Sequence, residues 1–229
     1  MAYQRTPYVE SKRAEARERL VRAALGLVAH GGWREVQMSA VAAAAGLSTG
    51  AVYLHFPSKT HLLAEVYREQ AAAELRVIGA IVAQDAPASE RLAAAIRAFA
   101  QRALSNRRLG YAMVLEPTDI EVEEERLHFH LQFIDAFAAL LEAGRAAGEF
   151  DVTEPQVAAA CIFGGVTESL MGPLGASLRD PATARGRARE EAQRVIDSVV
   201  AFALRGLGHP RPKPVKGRTS RAAAPRRSR

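Results

Sequence analysis

Apolar residues recur at helical spacing along most of the chain. In the first such segment, about residues 13–30, Leu20, Ala24, Leu27 and Val28 lie on one face of a helix. The strong helix formers Ala, Leu, Arg and Glu dominate from about residue 15 to residue 206. No stretch shows sustained alternation of apolar and polar residues between turn signals, so the pattern predicts no strands. We therefore expect an all-α protein.

Glycines and prolines divide this helical pattern into nine segments. Gly31-Gly32, Gly46, Pro57 and Gly172-Pro173 are among the breaks, because both residue types end helices. The predicted helices span about 13–30, 38–45, 49–55, 58–84, 88–105, 107–115, 119–147, 155–171 and 182–206. The arrangement predicts a small N-terminal unit of three helices, followed by a larger helical region.

The composition is that of a globular protein, with 48% hydrophobic and 24% charged residues in 229. One cysteine, Cys161, excludes an internal disulfide and a cysteine-built zinc site, and we expect it to be a buried, small apolar residue. Residues 1–10 carry no apolar signal segment, and the longest apolar runs, about 41–45 and 158–166, are too short to span a membrane. These features predict a cytoplasmic protein with no membrane partner.

Charge divides the chain into three parts, which we call the head (residues 1–60), the body (61–208) and the tail (209–229). The head has a net charge of +4, the body −6 and the tail +8. A basic head indicates a polyanion partner for that part of the chain. The tail is rich in Pro and Arg and is predicted to be disordered. Both a solubilising terminus and an auxiliary nucleic-acid arm remain possible for it.

Two short predicted helices, 38–45 and 49–55, are joined by Gly46-Leu47-Ser48 and together predict a helix-turn-helix. Gly46 stands where the first helix must end and reverse, and Ser48 is a favourable N-cap for the second. The second helix opens with the small residues Thr49, Gly50 and Ala51, so its free N–H groups can approach a phosphate or a base edge.

The segment from Arg17 to Glu65 resembles the DNA-binding region of TetR-type transcriptional repressors. The resemblance is strongest over residues 45–59, AGLSTGAVYLHFPSK, and is supported upstream by Ala23-Ala24-Leu25 and Gly32-Trp33. It covers about 50 residues. It implies a TetR-like fold and a two-fold dimer that binds a near-palindromic operator, which is double-stranded DNA. It also implies that a small-molecule inducer releases the operator by entering the body.

The resemblance implies roles for individual residues of the head. Thr49, Gly50 and Leu54 fall at positions that face base edges, whereas Tyr53, His55 and Lys59 fall where the phosphate backbone is contacted. Two serines complete the candidate DNA-binding set, Ser39 near the start of its helix and Ser48 at the cap. Gln37 departs from the family pattern, because Ser or Thr is common there.

The body contains apolar side chains that could line a ligand cavity, and the resemblance makes such a cavity expected. Tyr111, Glu116 and His130 are the candidates for orienting a ligand. Phe129, Phe133 and Phe137 lie at i, i+4 and i+8, which is also typical of plain core. The candidate lining residues are Phe99, Tyr111, Met113, Glu116, Phe129, His130, Phe133, Phe137, Cys161 and Met171. The last two helices carry small and aliphatic surfaces and are predicted to form the homodimer interface.

Two short patterns in the sequence would suit other classes of function. Gly46 to Gly50 spells G-x-S-x-G, but a serine-hydrolase elbow needs a preceding strand, and the preceding residues form an alanine-rich helix. Glu124 and His128 could share a metal ion, yet two ligands are a weak signal. We predict no enzyme activity, cofactor or metal. A sequence-indifferent architectural protein that coats nucleic acid with its Arg-rich tail remains the alternative function.

Overall fold

The structure, a computed structural model, describes residues 7–179 and 184–208. Within these ranges it has nine α-helices and no strand, which confirms the all-α prediction. A 3-10 turn, Trp33–Glu35, follows the first helix. The helices are α1 (Pro7–Gly31), α2 (Met38–Ala45), α3 (Thr49–His55), α4 (Lys59–Val82), α5 (Ala88–Ser105), α6 (Arg107–Val114), α7 (Ile120–Ala147), α8 (Pro155–Arg179) and α9 (Ala184–Gly206).

In the head, α1, α2 and α3 pack around a small apolar core. Leu20, Ala24 and Val28 of α1 are fully buried, as are Val41 of α2 and Val52 of α3. The alanines of α2 have almost no side-chain bulk, so α1 can pack closely against that helix. The core holds α3 by its buried face and leaves the opposite face in solvent.

The long helix α4 runs without interruption from the head into the body. Its first turns bury Leu62 and Leu63 among head residues, and its later turns bury Ala71 and Ile78 against the body. Helix α7 packs against both α4 and α8, and α5 packs against α9. Helix α4 therefore connects the head directly to the body helices.

Helix ends are stabilised where the sequence provides capping groups. Gly46 ends α2 in the left-handed conformation with φ 64°. Ser58 caps α4, and its hydroxyl accepts a hydrogen bond from the His61 backbone N–H. The start of α5 is capped from a distance, because the Glu149 carboxylate accepts bonds from the N–H groups of Ala88 and Ser89 at 2.8 and 3.0 Å. These bonds lower the pKa of Glu149.

Two predicted helix boundaries were wrong. Helix α1 begins at Pro7, about two turns before the predicted start, as solvent-facing helix with a Lys12–Glu15 ion pair at 2.9 Å. Helix α8 continues through Gly172-Pro173 to Arg179 instead of ending near 171. Leu174 directly after the proline is fully buried, and packing of this kind offsets the hydrogen bond that Pro173 cannot donate.

One helical stretch, Pro155–Gly175, has the length and a mean hydropathy of 1.4 that would suit a membrane span, and 39% of it is buried. It lies against α6, α7 and α9 as a core helix of the body. The predicted tail, residues 209–229, lies outside the described residues.

Candidate DNA-binding surface and internal cavity

The outer face of α3 is exposed to solvent. Thr49 and Gly50 lie in solvent at its first turn, and Tyr53 and Leu54 are 53% and 73% exposed. The Ser48 hydroxyl accepts a hydrogen bond from the Ala51 backbone N–H at 3.2 Å, which fixes the start of the helix. At 73% exposure, Leu54 leaves most of its apolar surface in solvent, so this face of α3 is available to contact another molecule.

The other predicted DNA-binding residues surround this face unevenly. Ser39 is exposed on α2, and Lys59 is partly buried in the first turn of α4. His55 is also partly buried. Burial, together with the positive charges of Arg13 and Arg17, lowers the pKa of His55, so the imidazole is neutral at pH 7. His55 can therefore donate or accept a hydrogen bond there, but it does not bring a cation.

Two arginines of α1 support α3 and were missed by sequence reasoning. Arg13 donates from Nη2 to the Leu54 backbone carbonyl at 3.2 Å, at the C-terminal end of α3. Arg17 lies over the Phe56 ring with its guanidinium carbon 4.9 Å from the centroid. The spacing of these arginines, i and i+4, was the available signal, because it places both on one face of α1.

Arg17 also begins a chain of ion pairs that crosses from the head to the body. Its Nη1 lies 2.6 Å from Glu65 of α4, and Arg68 bridges Glu65 to Glu125 of α7. The hydrogen bond from Arg17 and the two positive charges lower the pKa of Glu65. The network joins α1, α4 and α7.

The body encloses a cavity of about 260 Å³ between α4, α5, α6, α7 and α8, which we call the main cavity. Among the predicted lining residues, Phe99, Met113, His130, Phe133 and Met171 lie on its wall. The Phe163 ring stacks on Phe133 with centroids 5.2 Å apart and contacts the His130 ring at 5.0 Å. Aromatic rings thus pack together on one part of the wall.

The main cavity has further lining residues that the sequence did not single out. These residues come from α4, α7 and α8, and they supply most of its polar atoms: Tyr67, Glu74, Arg126, Thr167 and Glu168. Burial raises the pKa of Tyr67 to about 12, so its hydroxyl keeps its proton. Burial lowers the pKa of His130, which favours the neutral imidazole. The charged lining residues have their own partners in two cases, Glu74 with Arg102 at 2.6 Å and Arg126 with Glu123 at 2.8 Å.

A second space of about 180 Å³, the side cavity, lies next to the main one. The two cavities share Glu74, Phe99, Met113 and Val114 as a common wall. Gln70, Arg102 and Asn106 are among the polar residues that line the side cavity. Because Met113 is unbranched and flexible, its movement would join the two spaces.

Five predicted lining residues lie elsewhere. Phe129 and Phe137 are buried core residues on the same side of α7 as Phe133, where their rings pack against Tyr67 and Phe163. Tyr111 and Glu116 face Arg108, so they belong to the junction between α6 and the end of α1 rather than to the cavity. The fifth is Cys161, on α8.

Cys161 lies outside the cavity, and its exposure also differs from the expectation. It was expected to be buried, but its thiol is exposed on the outer side of α8. Helix α8 is apolar on more than one side, and its inner side is taken by residues such as Phe163. The apolar surroundings of Cys161 in the sequence therefore did not indicate burial within one protomer.

The exposed side of α8 continues onto α9 and forms an apolar outer face. Val157 and Phe202 are 60% and 67% exposed there. A groove of about 400 Å³ runs between the two helices beside Cys161, Gly165 and Phe202. Among the described residues, no group of three or more His, Cys, Asp or Glu side chains is placed to hold a metal ion.

An exposed, capped second helix after a glycine turn, joined to a larger helical body with a cavity, defines the class of helix-turn-helix DNA-binding regulators. Two family models match the chain, "Bacterial regulatory proteins, tetR family" over residues 20–66 and "Tetracyclin repressor-like, C-terminal domain" over residues 85–170. The chain belongs to the TetR family of transcriptional regulators. The members of this family are regulators rather than enzymes, which confirms the prediction against a hydrolase.

Individual relatives share either the head or the fold. The transcriptional repressor KstR of Rhodococcus jostii is 49% identical over 49 residues, which is 21% of this chain and 23% of that protein. The chain thus spans only about a quarter of the KstR repressor. The fatty acid metabolism regulator of Bacillus subtilis is 23% identical over 66% of this chain and 79% of its own length. The solved structure of B. subtilis FadR in complex with stearoyl-CoA has a TM-score of 0.69 at 20% identity, covering 82% of this chain and 98% of that one.

Proposed function

We propose that this protein is a homodimeric transcriptional repressor that binds a near-palindromic operator and releases it when a small molecule occupies the main cavity. The observation that carries the proposal is the exposed face of α3, whose start is capped by Ser48 and whose buried side is fixed by the head core. The cavity in the body supplies the place where a second ligand can act.

The proposed base contacts are made by Thr49, Gly50 and Leu54, and the backbone contacts by Tyr53, His55, Lys59 and Ser39. Three observations support this division. The first two residues leave the N-terminal N–H groups of α3 open to a phosphate or a base edge. Leu54 offers a methyl-rich surface of the kind that contacts thymine methyl groups. The tyrosine hydroxyl at the flank can reach a phosphate oxygen.

Dimerisation through α8 and α9 is part of the proposal. The apolar outer face around Val157, Cys161 and Phe202 would be covered by the same face of a second copy. A two-fold interface of this kind places two α3 helices about 34–36 Å apart, or a multiple of that distance, to read both halves of a palindrome.

The size and lining of the cavity favour a compact, largely apolar ligand. At roughly 30 Å³ for a group the size of a water molecule, 260 Å³ holds about nine such groups. The FadR structure was solved with stearoyl-CoA. We infer that an 18-carbon chain would enter here only if Met113 moved and joined the side cavity to the main one. Protection against thermal unfolding by octanoyl-CoA but not by stearoyl-CoA would support this size limit, and equal protection by both would contradict it.

Selection of binding sites from random duplex DNA tests the proposed function. The wild-type protein should enrich a near-palindromic site. Tyr53→Ala should weaken binding to all DNA, whereas Thr49→Ala should change the preference at one or two base pairs by about 1–3 kcal/mol each. Tyr8→Ala, a tyrosine on the exposed first turn of α1, is the matched control. Equal losses for Thr49→Ala on the selected site and on random DNA would contradict the assigned base contact.

The architectural alternative is separated by deleting residues 209–229. If the protein is an operator-specific repressor, selectivity survives the deletion and the salt dependence becomes shallower, because fewer phosphates are neutralised. Loss of all DNA binding would instead favour a protein that coats nucleic acid through its basic tail.

A further inference from the structure

The end of α1 is tied to α6 through the side chain of Trp33. The indole Nε1–H donates a hydrogen bond of 3.0 Å to the backbone carbonyl of Ala112, and both residues are buried. Trp33 follows α1 directly, so this bond joins the head to a helix of the body. The two residues that it joins are 79 positions apart in the chain.

The same carbonyl has a second donor that lines the main cavity. Arg126 of α7 donates from Nη2 to the Ala112 carbonyl at 3.3 Å and to the Glu116 carbonyl at 2.8 Å. These carbonyls lie at the C-terminal end of α6, where helical carbonyls lack partners within the helix. Arg126 therefore holds the end of α6 in place while its side chain forms part of the cavity wall.

A ring contact runs beside these hydrogen bonds. Tyr67 lines the cavity, its ring centroid lies 6.4 Å from that of Trp33, and the Arg126 guanidinium lies 5.9 Å from the Tyr67 centroid. Trp33 and Arg126 thus meet at the Ala112 carbonyl, and the Tyr67 ring packs against both side chains. A molecule that touches Tyr67 or Arg126 is therefore one residue away from Trp33.

The start of α6 is fixed to the same end of α1. Arg108 donates to the Gly31 carbonyl and to Glu116, each at 2.7 Å, and Glu116 accepts from the Trp33 backbone N–H at 3.4 Å. Gly32 has φ 87°, and a Cβ there would lie 1.4 Å from Arg108 Nη2. Helix α6 is therefore held against α1 at both of its ends.

We propose that Trp33 and Arg126 are the positioning residues that transmit cavity occupancy to the head, through the carbonyl of Ala112 that they share. A molecule in the cavity moves Arg126, the end of α6 follows, and Trp33 carries the displacement into α1. This inference rests on the proposed function. It assigns the transmission to the α6–Trp33 contact rather than to α4, which also passes from the cavity into the head.

A double-mutant cycle tests the route without knowledge of the natural ligand. Thr167→Phe places a ring in the main cavity from α8 and serves as the occupant. Trp33→Phe keeps an aromatic ring but removes the indole donor. Affinity for the selected DNA site is measured by fluorescence anisotropy for the wild type, both single variants and the double variant. Thermal unfolding of each variant verifies that the fold is retained.

We expect Thr167→Phe to weaken operator binding about 5- to 150-fold in the wild-type chain, the range of a typical allosteric coupling. In the Trp33→Phe background the same substitution should cost less than about 3-fold. Trp33 is the only tryptophan, so its fluorescence emission should also shift in the Thr167→Phe variant. If Trp33 had only a structural role, Trp33→Phe would weaken operator binding by itself, and Thr167→Phe would still cost as much in the Trp33→Phe background as in the wild type.

Arg126→Lys provides a second cycle, because it changes the other donor to the Ala112 carbonyl. Lysine keeps the charge but cannot donate to two carbonyls in the geometry of arginine. It decides the question if Trp33→Phe does not fold. Equal Thr167→Phe penalties in all backgrounds, or no penalty in the wild type, would overturn the inference and leave the proposed function standing. Absence of any enriched DNA site for the wild-type protein would contradict the proposed function itself.

Discussion

At the scale of single residues, Gly32 shows how one position serves conformation and contact together. Its φ of 87° lies in the region that favours glycine, and the space where a side chain would stand is filled by Arg108 and Glu116. The sequence pattern of a helix followed by Gly-Gly predicted a helix end there. It could not predict that the second glycine makes room for an arginine from a helix about 75 positions later.

Gly32→Ala should lower the free energy of unfolding by about 1–3 kcal/mol, because the new Cβ is strained at this φ and displaces Arg108. Urea denaturation measures the change. Gly26→Ala is the matched control: Gly26 lies within α1, and no neighbouring side chain comes within 4 Å of the place where a Cβ would stand, so alanine should stabilise the protein by up to about 1 kcal/mol. Equal effects of the two substitutions would contradict the assigned contact.

His130 makes stability depend on pH. Burial lowers the pKa of its imidazole in the folded protein below the value of about 6.5 in the unfolded chain. The unfolded chain therefore binds more protons in this window, and the free energy of unfolding falls as pH drops from 7 through 6.5 towards the lowered pKa.

His130→Gln should flatten this decline, by less than about 1.4 kcal/mol per pH unit, which is the limit for one proton. Urea denaturation at several pH values between 7.5 and 5 measures the slope. His128→Gln, on the solvent-facing side of the same helix, should keep the wild-type slope. A slope that is unchanged in His130→Gln would show that the imidazole is not desolvated in the cavity wall.

At the scale of helices, the boundaries that depend on local chemistry were predicted closely. Helices α2 and α3 span the residues expected, since Gly46 and Ser48 act through contacts with their own neighbours in the chain. Helix α8 did not end where Gly172-Pro173 indicated, because burial of Leu174 keeps it continuous. Such tertiary packing leaves no mark on the local pattern.

The candidate site likewise has parts that follow from local sequence and parts that depend on tertiary packing. The outer face of α3 could be placed from its own residues and the family resemblance. Phe99, Phe133 and Met171 were among the residues expected at a cavity, but Tyr67 and Arg126 were not, because they come from α4 and α7 and meet only in the folded body. The sequence indicates which residues are apolar, whereas the three-dimensional packing decides which of them face a cavity.

Ser48→Ala should remove the cap of α3 and lower the free energy of unfolding by about 1 kcal/mol. It should also weaken operator binding more than the loss of stability explains, because the proposed base contacts are made from the N-terminal turn of α3. Asn106→Ala removes the equivalent cap of α6, where Asn106 Oδ1 accepts from the Leu109 N–H at 3.0 Å. For this control we expect a similar loss of stability, and operator binding should weaken no more than that loss explains.

At the scale of the whole molecule, three surfaces act together in the proposed function: the α3 face, the main cavity, and the apolar face of α8 and α9. The first two lie within one protomer, and they are connected by α4 and by the contact of Trp33 with α6. The third is proposed to be covered by a second copy. The basic head and acidic body agree with this arrangement, since only the head needs to approach DNA.

Phe202→Glu should shift the protein from dimer to monomer, because it places a charge in the centre of the proposed interface. Analytical ultracentrifugation measures the change in mass, and operator affinity should fall at least about 10-fold as a result, since one head alone loses half of the base contacts. Leu127→Glu, a comparably exposed apolar residue on α7, is the control and should leave both properties unchanged. A dimer that survives Phe202→Glu would place the interface elsewhere.

The central claim is that two copies of α3 lie in successive major grooves of one DNA duplex. Dimethyl sulfate footprinting on the selected site measures it most directly, because the reagent modifies guanine N7 in the major groove. We predict two protected clusters with centres about 10 base pairs apart, or a multiple of that spacing, and loss of both clusters in Tyr53→Ala. A single cluster, or protection spread evenly along the duplex, would contradict the account.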